Sequence, residues 1–136
     1  MRRKHRVYHP GLAPGTIRDR PAAETVPLEI TIADYSPETI EIREGRKVDD
    51  ITSAPQGSNR WIRVRGTPTT ALLRRIGSEF GAHNLVLEDI SSSSQRVKVE
   101  DYDNLMFTVL RTIREPGGGE QEEVELSIIL TPTTII

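Results

Sequence analysis

The sequence contains no cysteine. Disulfides, thiolate zinc sites and cysteine nucleophiles are therefore excluded, and the absence fits a reducing compartment. Long apolar runs are missing too. No stretch of the 136 residues approaches the roughly 18 needed to cross a bilayer as a helix. The basic start, Met1-Arg2-Arg3-Lys4-His5-Arg6, leads into Tyr8-His9-Pro10-Gly11, which is not the layout of a secretory signal. An excess of one charge is also lacking. A formal net charge of -2 and a pI near 5.9 give no bulk attraction to nucleic acid or to an anionic membrane surface. What remains, 35% hydrophobic and 28% charged, is the composition of a globular protein long enough for one core.

Catalytic signatures are absent as well. Ser91 to Ser94 lack the Gly-x-Ser-x-Gly turn of a nucleophile elbow. Gly117 to Gly119 lack the Gly-Lys-Ser/Thr of a phosphate cradle. His5 and His9 have no ligand spacing to a carboxylate on a regular element, and His83 has no second histidine or serine partner. His83, in the link Gly81-Ala82-His83-Asn84, is expected to cap or pack against the helix that follows. The reading is that the chain is no enzyme.

The patterns that are present give an α/β domain. Residues 1–25, rich in Pro, Gly and Arg, read as a basic segment, and residues 26–136 as the folded domain. Leu28, Ile30 and Ile32 alternate with polar residues as a half-buried strand, and Ile40 and Ile42 mark a second. A third runs from Arg60 to Arg65, with Ile62 and Val64 on one face and Trp61, Arg63 and Arg65 on the other. Thr67-Pro68 is expected to start a helix whose core stripe is Leu72, Leu73, Ile76 and Phe80, with Gly81 as C-cap. A short helix from Asn84 to Ile90 and the polar serine loop follow. Three more strands are expected at Arg96 to Glu100, Asn104 to Ile113 and Glu123 to Leu130, the last two as a hairpin around Pro116-Gly117-Gly118-Gly119. Leu126 to Leu130 reads as buried, and Thr133 to Ile136 as the beginning of a strand cut short of its continuation. The sum is a mixed, partly antiparallel sheet with helices packed on it.

Two features could carry binding. Trp61 shares a face with Arg63 and Arg65, a pattern able to stack a nucleic-acid base, but sheet packing under a helix is the expectation and nucleic acid is not an expected partner. Glu88 and Asp89 lie at the end of the second helix. The helix dipole disfavours a carboxylate there by about 0.3–1 kcal/mol. Two together call for a cation or a basic partner, unless they are simply solvated. Magnesium takes one or two carboxylates and keeps several waters, so such a pair suits it. The acids at 120, 122, 123 and 125 are expected to be solvated.

Five segments together resemble a known family. Gly11-Leu12-Ala13-Pro14-Gly15-Thr16, the strand Trp61 to Gly66, and Phe80 to Ile90 with its His83 and Glu88-Asp89 come in the order and spacing of CorA magnesium and cobalt transporters. Gln95 to Glu100 and Glu123 to Leu130 continue the match. Asn84 and Val97 depart from the family pattern, each standing where a proline is usual.

The resemblance implies the soluble amino-terminal domain of a funnel-shaped homopentamer, on the cytoplasmic face of the membrane. Its stalk helix and membrane domain, absent here, would be its further partners. It implies that Mg2+, and also Co2+, binds weakly between neighbouring domains and regulates the pore. By the motif match Asp89 is the interface carboxylate, Glu88 a ligand of a second ion, and the Leu12 carbonyl a further ligand, with the remaining carboxylates on the stalk. The alternative is a free-standing α/β interaction or ligand-binding module of the same fold.

Overall fold

A computed structural model of the chain describes residues 17, 25–92, 95–115, 117, 119 and 121–136. Alternating apolar residues give β1 (Glu29–Tyr35), β2 (Ile40–Arg43) and β3 (Asn59–Arg65). Two helices follow, α1 (Thr70–Phe80) and α2 (Asn84–Ser91). The chain then returns to strands as β4 (Lys98–Asp101), β5 (Met106–Arg114), β6 (Glu122–Leu130) and the two-residue β7 (Thr134–Ile135). All seven strands form one sheet in the order β2-β1-β3-β7-β6-β5-β4. Among the described residues only the β3–β7 contact is parallel. The mixed α/β sheet expected from the pattern is the fold found.

Register explains where the core lies. Ile32 sits opposite Ile62, and Phe107 opposite Ile129, so these residues point to the same side of the sheet. That side meets Leu72, Leu73, Ile76 and Phe80 of α1 and Val86 and Leu87 of α2 in a single buried cluster. Ile17 also packs against it. The opposite side keeps an apolar line running strand to strand through Ile42, Ala33, Trp61, Ile135, Leu130 and Met106.

Trp61 is 54% exposed on that side, so the expectation that it packs under a helix is not met. Leu126 and Leu130 are exposed there too, which corrects the reading of Leu126 to Leu130 as a buried strand. In β6 apolar residues occupy both faces, and only Ile129 turns into the core. Because β7 is so short, a slot opens between β3 and β6. Ile62, Val64, Leu126, Ile128 and Ile136 line it.

Helix α1 begins later than Thr67. Its N-cap is Thr69, whose hydroxyl accepts from the Leu72 N–H at 3.2 Å. Thr67 is committed elsewhere: its backbone N–H donates to the Val26 carbonyl and its hydroxyl accepts from the Val26 N–H, each at 2.9 Å. Gly66 makes that close approach to the incoming chain feasible. It holds φ +113°, and a Cβ there would sit 2.3 Å from the Pro27 carbonyl oxygen. Gly81 does end α1, in the left-handed conformation and donating to Gly77 O, as expected.

The polar connection before β3 hides a turn of 3-10 helix, Val48–Asp50, which delivers Ile51 fully buried into the core. Arg75 donates to the Ile51 carbonyl at 2.7 Å, and Glu79 accepts from the Ser53 N–H at 2.7 Å, so α1 holds this connection in place.

Candidate functional site

Asp89 and Glu88 lie where the sequence puts them, in the last turn of α2, both half-buried. The backbone carbonyls of that turn are satisfied by the residues read as a loose serine loop. Ser91 Oγ donates to Glu88 O at 2.7 Å, and Ser92 Oγ to Asp89 O at 3.2 Å. The start of α2 is closed by His83, whose Nδ1 accepts from the Leu85 N–H at 3.2 Å. The His83 ring also stacks on Tyr102, with centroids 6.3 Å apart and planes 16° from parallel. His83 is thus a cap and a packing surface. Leu12, the third expected ligand, falls outside the described residues.

The Asp89 carboxylate has a cationic partner that sequence pattern did not show. Lys98 Nζ on β4 donates to Asp89 Oδ2 at 2.5 Å and to Glu100 Oε1 at 2.8 Å. Glu100 Oε2 in turn accepts from the Tyr102 hydroxyl at 3.1 Å. Lys98 lies 5.5 Å from the centre of the Phe107 ring, over its face. Burial works against the Lys98 charge, but the hydrogen bonds it donates to Asp89 and Glu100 outweigh that effect and raise the ammonium above its ordinary pKa. The Lys98 hydrogen bond lowers Glu100 correspondingly. Burial and then the neighbouring Glu100 raise Tyr102.

This explains how an acid tolerates a helix C-terminus: the cation it needs is supplied from the sheet. It also limits what the described residues can bind. Among them, no three histidine, aspartate or glutamate side chains are gathered as a metal site. Asp89 is a single half-buried carboxylate already paired with an ammonium, and the described residues form no closed cage around it.

A second polar cluster is structural. On β3, Arg60 donates from Nε to Asp34 Oδ1 at 2.6 Å and from Nη2 to Asp34 Oδ2 at 2.8 Å. Its Nη1 reaches the Thr52 and Ser53 carbonyls at 3.1 and 3.2 Å. Arg43 adds a further contact to Asp34. Of the acids expected to be solvated, Glu122 and Glu123 are exposed yet paired across the hairpin, with Arg114 at 2.7 Å and Arg111 at 3.0 Å. Glu125, by contrast, is half-buried and accepts from the Gln95 N–H at 2.8 Å, and residue 120 lies outside the described residues.

Sequence could have flagged Lys98 and Glu100, since residues two apart on a strand share a face. Their meeting with Asp89 is tertiary and had no local signal.

No family model matches the chain. It is 34% identical over 140 aligned residues to the cobalt/magnesium transport protein CorA of Thermotoga maritima. The alignment takes in the whole of this chain and 39% of that protein, so the chain spans about two fifths of the length of the curated relative it matches. Among the described residues no helix is long and apolar enough to cross a membrane. The similarity runs the full length of the chain, through the strands that build the sheet and the helix that carries Asp89, so what the chain resembles is one part of a CorA protein.

Proposed function

We propose that the chain is the divalent-cation-sensing regulatory part of a CorA-type magnesium and cobalt transporter, working on the cytoplasmic face of the membrane within a homopentamer. The observation that carries this is the full-length similarity to a protein named for cobalt and magnesium transport. The similarity does not favour a free-standing interaction module. A half-buried carboxylate at the end of α2 supports the sensing role. Asp89 presents oxygen, the donor that hard divalent ions take, on a surface where the described residues gather no further set of ligands. A neighbouring subunit or a stalk would supply them.

A site with so few carboxylates binds weakly, which suits an ion sensed near its working concentration. Occupancy across an interface couples binding to subunit packing, and by that route to a distant gate. Glu88 is the proposed ligand of a second ion, and the Leu12 carbonyl a further one. Sensing requires no reaction, and none is assigned.

The test is transport. In a CorA-family protein that carries this segment with its membrane part, Asp89→Ala is expected to weaken the closing effect of intracellular magnesium by roughly 5- to 150-fold in concentration, the span of ordinary coupling energies. Uptake that magnesium inhibits as before would refute the proposal.

A further inference from the structure

We infer that Lys98 is a built-in competitor of the divalent ion: its ammonium holds one oxygen of the Asp89 carboxylate, and an ion binding there must either displace it or bind against its charge. The inference rests on the reading of Asp89 as an ion ligand and adds to it what sets the affinity.

The geometry carries the argument. Asp89 Oδ2 holds Lys98 Nζ at 2.5 Å. A metal ion or its bound water brought to this oxygen meets a positive charge already hydrogen-bonded to it. Either the two cations share the carboxylate and repel, or the ammonium leaves. Both routes weaken ion binding.

Leaving is feasible because Lys98 has a second place to go. Glu100 Oε1 lies 2.8 Å from the same nitrogen, and the Phe107 ring forms a floor 5.5 Å away. An ammonium released from Asp89 keeps a carboxylate and an aromatic face, so it is not stranded without a partner. The tether also favours high charge. A monovalent ion offers Asp89 no more charge than Lys98 already supplies, whereas a divalent ion offers twice as much. Lys98 therefore sets a threshold that divalent ions pass and monovalent ions do not.

The experiment is a titration of this chain with magnesium chloride, followed by backbone amide and lysine side-chain NMR signals. Wild type, Lys98→Met and Asp89→Asn are compared. Methionine keeps the apolar stem over Phe107, and Lys98→Gln serves if the Met variant does not fold. Removing the competing charge is expected to tighten binding on the order of tenfold, with shifts centred on residues 86–101. Asp89→Asn is expected to abolish binding in either background. In wild type the Lys98 side-chain signals should move with saturation while those of Lys47 stay still. Asp89-dependent binding that is equal or weaker in Lys98→Met overturns the role of Lys98 and leaves Asp89 as a ligand. Binding that ignores Asp89→Asn overturns the ligand reading and this inference with it.

Discussion

Asp34→Ala is expected to lower the stability of the chain by about 3–5 kcal/mol, the cost of stranding a buried charge. Arg60, left behind, is only 6% exposed. It would keep its bonds to the Thr52 and Ser53 carbonyls but lose both carboxylate contacts. Urea unfolding reads the effect directly, and a loss below about 1 kcal/mol would show that the cluster behaves like an exposed surface pair. Replacing both partners by apolar residues, Asp34→Leu with Arg60→Met, should recover much of the loss, because a buried pair is worth little over a well-packed apolar one.

The same cluster gives the pH dependence its sign. The Arg60 hydrogen bond holds the Asp34 carboxyl below its ordinary value, against the opposing effect of burial, and Arg43 adds to the lowering. A lowered carboxyl stabilises the fold above its unfolded pKa of about 3.9 and loses that contribution as pH falls through the folded value. The acid limb of the wild type should therefore be steeper than that of Asp34→Ala. Glu79 and Glu100, also lowered, keep part of the slope in the variant.

The second large effect is expected at Phe107, which is fully buried at the start of β5 and lies beneath Lys98. Phe107→Ala should cost about 3–5 kcal/mol, from lost burial plus the cavity left behind. Leu110, three residues on in the same strand, faces the other side and is 40% exposed, so Leu110→Ala should cost less than about 1 kcal/mol. Equal effects at the two positions in a urea series would contradict the assignment of core and outer faces.

Much of the fold was legible because local pattern and tertiary role agree in it. The period-two runs at β1 and β3, the three-four spacing of Leu72, Leu73, Ile76 and Phe80, and the glycine at 81 each have one physical outcome. Legibility failed where a residue's role depends on a distant neighbour. Thr67 has the chemistry of an N-cap, but Val26 claims its hydroxyl, and Thr69 caps in its place. Ile51 sits in a polar stretch that reads as a connection, yet the turn before it drives it into the core. β6 carries apolar residues on both faces, so alternation could not say which would be covered.

The candidate site divides in the same way. The position of Glu88 and Asp89 at the end of a helix follows from the sequence, because that helix is local. The ammonium against Asp89 does not, because β4 reaches α2 only in the folded sheet.

The proposed sensing role requires a cation to meet Asp89. The most direct measurement is anomalous scattering from cobalt in crystals of a CorA-family protein that carries this segment with its membrane part. A peak is expected within direct or one-water reach of the Asp89 carboxylate, at the face shared with a neighbouring subunit, with Lys98 turned toward Glu100. Cobalt found only elsewhere, with Lys98 still bound to Asp89, would contradict it.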